Sequence, residues 1–141
     1  MINNKSKILL TGIAGFVGSH LLDYLLENKK EDCEIYGIIR ENESLERIIH
    51  NLSNTKLFTC DLINAYKVAE IIKTIQPDYI YHLAGESSVK NSWDSIVSVV
   101  NNNILAGLNI LEALRFYRNL ECRVLLICSS EEYGLVNEKN I

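Results

Sequence analysis

Residues 11–18 read Thr-Gly-Ile-Ala-Gly-Phe-Val-Gly, three glycines at three-residue steps, and their flanks leave few folds open. Before them, Lys7-Ile8-Leu9-Leu10 is a short apolar β run. After them, Phe16 to Asn28 carries Val17, Leu21, Leu22, Leu25 and Leu26 at helical spacing. A strand that runs through a glycine turn straight into a helix is the phosphate-cradling unit of open α/β sheets. Gly12 permits the tight turn. Gly15 has no side chain to hold a pyrophosphate off the backbone, and Gly18 lets the helix close on the sheet. Ala14, Phe16 and Val17 fill out the same turn and the helix start, where unpaired N–H groups and the positive dipole end favour phosphate.

The rest of the chain repeats the alternation. Glu34 to Ile39 is a second β run, followed by a weak helix around Leu45 to Ile49. Lys56 to Thr59 is a third strand, and Ala65 to Thr74 a helix with Val68, Ile71 and Ile72 on one face. Pro77, the only proline, ends that helix ahead of Tyr79-Ile80-Tyr81-His82-Leu83. A long helix is predicted from about Trp93 to Arg118, with Val97, Val100, Ile104, Leu108, Leu111 and Leu114 as its apolar stripe. Arg123 to Cys128 is a near-continuous apolar run, of the kind a parallel strand covered on both faces requires. Strands alternating with helices imply a doubly wound parallel sheet, and right-handed crossovers make 3-2-1-4-5 its natural order. The expectation is one α/β domain over residues 1–141, of the Rossmann type.

Composition excludes several functions. A net charge of -4 and a pI near 5.4 give no basis for nucleic acid or an acidic membrane surface as partner. Cys33, Cys60, Cys122 and Cys128 form no C-x-x-C pair, so neither a metal site nor a disulfide framework is expected. Cys60 and Cys128, at the ends of apolar runs, are expected in the core. The opening MINNKSKILLTG is too polar for a signal peptide, and no uninterrupted apolar run approaches the roughly 18 residues that span a bilayer. A cytoplasmic protein is expected.

TGIAGFVGSHL strongly resembles the extended short-chain dehydrogenase/reductases, the nucleotide-sugar epimerases and dehydratases. Later segments resemble that family in the same order. Cys60-Asp61-Leu62 is similar to the D-L pair after the third strand, whose acid meets adenine. His82-Leu83-Ala84-Gly85-Glu86-Ser87-Ser88-Val89 is similar to the segment that lies against the cofactor. Asn103, Gly107, Asn109 and Leu111-Glu112-Ala113 resemble the pattern of the fourth helix. Cys128-Ser129-Ser130-Glu131-Glu132-Tyr133-Gly134 resembles the end of the fifth strand. The resemblance implies a dinucleotide cofactor held by Gly12, Ala14, Gly15, Phe16, Val17, Gly18, Asp61, Leu62, Leu83, Ala84, Gly85, Ser87 and Asn103.

The residue that ends the second strand separates the two nicotinamide cofactors, because an acid there pairs with a free 2′-hydroxyl and an arginine with a 2′-phosphate. Here it is Arg40, whose guanidinium suits phosphate. NADP is therefore expected, with NAD possible because Glu41 is adjacent. Gly37-Ile38-Ile39-Arg40 also resembles the GDP-mannose 4,6-dehydratases and GDP-4-keto-6-deoxymannose reductases.

The resemblance further implies transient oxidation at the sugar C4, with Ser129 as the hydroxyl that bonds the reacting oxygen and Glu131 as the acid/base of dehydration. The family's Y-x-x-x-K pair is not found, since none of the seven tyrosines has a lysine four residues on. The 141-residue chain is accordingly expected to hold the cofactor half of a nucleotide-sugar enzyme, to be inactive by itself and to form a homo-oligomer. The alternative is a dinucleotide-binding sensor that does no chemistry.

Overall fold

The computed structural model describes residues 5–86, 96–117 and 121–128. Five strands form one parallel sheet: β1 (Ser6–Thr11), β2 (Cys33–Ile39), β3 (Thr55–Thr59), β4 (Tyr79–His82) and β5 (Arg123–Leu126), in the order β3-β2-β1-β4-β5. That is the predicted order. α1 (Phe16–Lys29) joins β1 to β2, α2 (Ala65–Ile75) joins β3 to β4, and α3 (Ile96–Phe116) precedes β5. The weak helix of the sequence reading is a 3₁₀ helix over Glu46–Asn54, whose Ile48 is fully buried.

The twofold period of the strands sorts the core into two layers. On one face Leu9, Ile38 and Ile80 pack with Val68, Ile72 and Ile110 of α2 and α3. On the other, Ile8, Leu10 and Ile35 pack with Leu22 and Leu25 of α1 and with Ile48. With helices on both faces, the sheet is doubly wound.

Two expectations about packing are corrected. The first concerns α3. Its stripe of large apolar residues is not the buried face: Val97 is 71% exposed, Ile104 55% and Leu108 50%. The buried face is made of Ala106, Gly107, Asn109, Ile110 and Ala113. Small residues win because α3 lies close against the sheet; even a methyl on Gly107 would sit 3.6 Å from the His82 ring. Five residues of α3, Asn101–Leu105, form a π turn. At 21 residues α3 is long and apolar enough to cross a membrane by length and composition, which counting uninterrupted runs had missed. Its C-terminal half packs against the sheet and α2 through Ala106, Ile110 and Ala113.

The second correction is β5. It ends at Leu126 rather than Cys128, and its burial alternates, with Arg123 and Leu125 exposed and Val124 and Leu126 half-buried. Among the described residues it pairs only with β4, so it is an edge strand with one covered face. Cys60 is buried as expected, whereas Cys128 is exposed.

Candidate functional site

Parallel strands end together, so the C-terminal ends of β1, β2, β3 and β4 open on one rim, where chains of this topology place their ligands. At β1 the chain makes the glycine turn. Gly12 has φ of 68°, and a Cβ there would lie 2.8 Å from the Ala84 nitrogen, so the turn nests against the segment leaving β4. Gly18 lies beneath the turn, where a Cβ would lie within 2.1 Å of the Gly12 carbonyl oxygen. α1 starts at Gly15, with no side chain capping it and no acid in its first turn. Its first intrahelical bond runs from the Ser19 N–H to the Gly15 carbonyl. The Phe16, Val17 and Gly18 amides are left without an intrahelical partner, and the dipole end is not neutralised.

A groove of about 200 Å³, open to solvent, runs along the rim. Gly12, Gly15, Arg40, Asp61, Leu62, Leu83, Ala84 and Gly85, all predicted site residues, line it. Of the other predicted residues, Ala14 is buried under the turn and Gly18 against it, while Phe16 and Val17 stand exposed at the start of α1. Ser87, Ser129 and Glu131 lie outside the described residues.

Asp61 is not the N-cap of α2; Asn64 is, accepting from the Lys67 N–H at 3.0 Å. Asp61 instead accepts from the Ile63 N–H at 3.1 Å, which leaves its carboxylate at the groove. Asn103 works from beneath the rim. Its Oδ1 accepts from the Glu86 N–H at 2.6 Å and its Nδ2 donates to the Glu86 carbonyl at 3.0 Å, so both ends of the amide hold the segment after β4. Asn109, buried in α3, donates to the Leu62 carbonyl at 2.8 Å and fixes the segment after β3.

Thr11 and His82 form the buried hinge between β1 and β4. Thr11 Oγ1 lies 2.7 Å from His82 Nδ1 and accepts from the Ala84 N–H at 3.3 Å. The Thr11 hydroxyl donates to Nδ1 or accepts from it according to the imidazole tautomer. Burial holds the His82 pKa below its ordinary value, in keeping with a neutral ring. Burial likewise raises the Cys60 pKa, so this groove-lining thiol stays protonated.

The sequence reading missed Ile38, Ile39, Cys60, Glu43, Glu86, Asn102 and Ala106, all of which line the groove. The first three were findable, because they immediately precede Arg40 and Asp61 at strand ends. Glu86 directly follows the predicted Leu83–Gly85 run. Glu43, Asn102 and Ala106 reach the groove only through the turn after β2 and the packing of α3.

A cradle closed to Cβ atoms at Gly12, an uncapped helix start and an acid beyond β3 together fit a dinucleotide. Residues 9–141 match the GDP-mannose 4,6 dehydratase family. The chain belongs to that family. It is 32% identical to a GDP-mannose 4,6-dehydratase of Vibrio cholerae, over 96% of this chain and 38% of that enzyme. Among solved structures, it resembles a UDP-N-acetylglucosamine 4-epimerase of Methanobrevibacter ruminantium, at 28% identity and a TM-score of 0.77, over 98% of this chain and 42% of that one. It also resembles a UDP-glucose 4-epimerase of Thermus thermophilus in complex with NAD, at 31% identity and a TM-score of 0.68, over 79% and 34% of the two chains. The chain thus spans about two fifths of the length of the relatives it matches.

Proposed function

We propose that this chain is the cofactor-holding part of a nucleotide-sugar dehydratase, reductase or epimerase, acting on a GDP-sugar such as GDP-mannose through transient oxidation at C4. The observation that carries this is the groove, where the glycine cradle, Arg40 and Asp61 meet along one rim. The bound cofactor supplies hydride exchange. The chain's own residues bind and orient it: the amides at the start of α1 hold the pyrophosphate, Asp61 meets the adenine end, and Leu83 and Ala84 support the path toward the nicotinamide. Ser129 and Glu131 take the hydroxyl and acid/base roles, with the proton-accepting Tyr and its Lys supplied from outside these 141 residues. Turnover by the 141 residues alone is therefore not expected. A cytoplasmic location without nucleic acid or membrane partners follows from the same reading. So does self-association, for which the exposed apolar stripe of α3 is the proposed contact.

Arg40 at the end of β2 supports NADP as the preferred cofactor, with NAD accepted. NADPH is expected to bind more tightly than NADH in calorimetric titration. Arg40→Asp should remove that preference, at a loss of ~1.5–3 kcal/mol for one charge-assisted contact. Tighter NADH binding by the unsubstituted protein would refute the NADP reading.

A further inference from the structure

The chain does not leave the groove at Arg40. Arg40, Glu41, Asn42 and Glu43 form a turn in which the Glu43 N–H donates to the Arg40 carbonyl at 3.3 Å. Asn42 takes a φ of 61°, a left-handed conformation that asparagine tolerates well. The turn brings the Glu43 side chain back over the strand end, where its Oε2 accepts from the Arg40 backbone N–H at 2.8 Å. Arg40 and Glu43 therefore both line the groove, and Glu43 is half-buried there. An acid at this place suits a free ribose 2′-hydroxyl, and an arginine suits a 2′-phosphate. This chain presents both.

We propose that Glu43 is a specificity-determining residue that opposes Arg40: its carboxylate receives the 2′-hydroxyl of an NAD-type cofactor and repels the 2′-phosphate of an NADP-type one. The inference rests on reading the groove as a dinucleotide site. Charge supports it. Among the described residues Arg40 is the one cationic side chain of the lining, which also carries the carboxylates of Glu43, Asp61 and Glu86. A phosphomonoester adds between one and two further negative charges near neutral pH, whereas a hydroxyl adds none. Arg40 favours the phosphate and Glu43 narrows that advantage, so the protein uses both cofactors within a small range of affinity.

Glu43→Gln isolates the charge, because the amide oxygen still accepts from the Arg40 N–H and preserves the turn. Binding of NADH and NADPH to the purified protein is followed by nicotinamide fluorescence at low and high salt, with a melting curve for each variant. The ratio of the NADH Kd to the NADPH Kd should rise about tenfold in Glu43→Gln, equivalent to about 1.4 kcal/mol. The rise should shrink at high salt as screening weakens the repulsion. Glu43→Asp, which keeps the charge, should leave the ratio nearer that of the unsubstituted protein. A ratio unchanged in Glu43→Gln but moved in Arg40→Asp overturns the role of Glu43 and leaves the site reading standing. Absence of binding by either cofactor to the unsubstituted protein overturns the site reading and this inference with it.

Discussion

Gly18→Ala should damage the fold far more than its single methyl suggests. The added Cβ would lie 2.1 Å from the Gly12 carbonyl oxygen, 2.8 Å from Ile13 Cα and 2.9 Å from Gly12 C. All three atoms are backbone, so no rotamer change relieves the contact. Ordinary separations between such atoms are near ~3.5 Å, so α1 would have to retreat by over ~1 Å at its first turn. That retreat breaks the Gly15 N–H to Gly12 carbonyl bond, now 3.0 Å, and lifts Leu22 and Leu25 from their contacts with Ile8, Leu10 and Ile35. Overpacking against yielding side chains costs ~1–3 kcal/mol, and an unyielding backbone puts this change at ~3 kcal/mol or beyond. For a domain of this size that lowers Tm by roughly 10 °C. Gly15→Ala is the control. Gly15 has an ordinary φ of -72°, and its Cβ would meet only the Gly12 oxygen at 3.1 Å, so stability should fall by less than ~1 kcal/mol. Its methyl would project into the groove, so cofactor affinity should drop while the fold remains. Thermal unfolding followed by circular dichroism, with and without NADPH, reads both effects. A Gly18→Ala protein melting within a degree or two of the unsubstituted one would refute the packing argument.

The buried His82 predicts a pH dependence of stability. Its folded-state pKa lies below the ordinary 6.5, so its contribution is complete above pH 6.5 and is lost as pH falls from there through the folded pKa. Denaturant melts between pH 7.5 and 5 should show a steeper loss for the unsubstituted protein than for His82→Asn, and equal slopes would refute the assignment. The α3 stripe predicts self-association: replacing Val97, Ile104 and Leu108 together with serine should shift sedimentation toward monomer without lowering Tm, since these residues are 71%, 55% and 50% exposed. A monomeric unsubstituted protein at high concentration would refute it.

The sequence by itself determined the topology and the residues along the rim of the groove. Alternating apolar periods of two and 3.6 residues named every strand that the structure describes, and a right-handed rule for crossovers then orders them. Gly12, Arg40 and Asp61 declared the rim, because each closely follows a strand end, where chain connectivity alone fixes the location. These are local signals, legible wherever backbone geometry or position in an element decides a residue's role.

What only the tertiary structure decided depends on distances between elements. The larger apolar residues of α3 formed the stronger stripe in sequence, yet Ala106, Gly107 and Ala113 face the sheet, because the close approach at His82 leaves room only for small side chains. Asn103 reads as a polar helix residue until Glu86, 17 positions earlier, is brought to both ends of its amide. Glu43 enters the groove through a turn whose left-handed Asn42 has no signature strong enough to predict. Apolar runs at β5 implied two covered faces, but coverage belongs to the neighbours of a strand and not to the strand. Periodicity reports which residues can share a face; which face is buried, and at what clearance, is settled only when the elements pack.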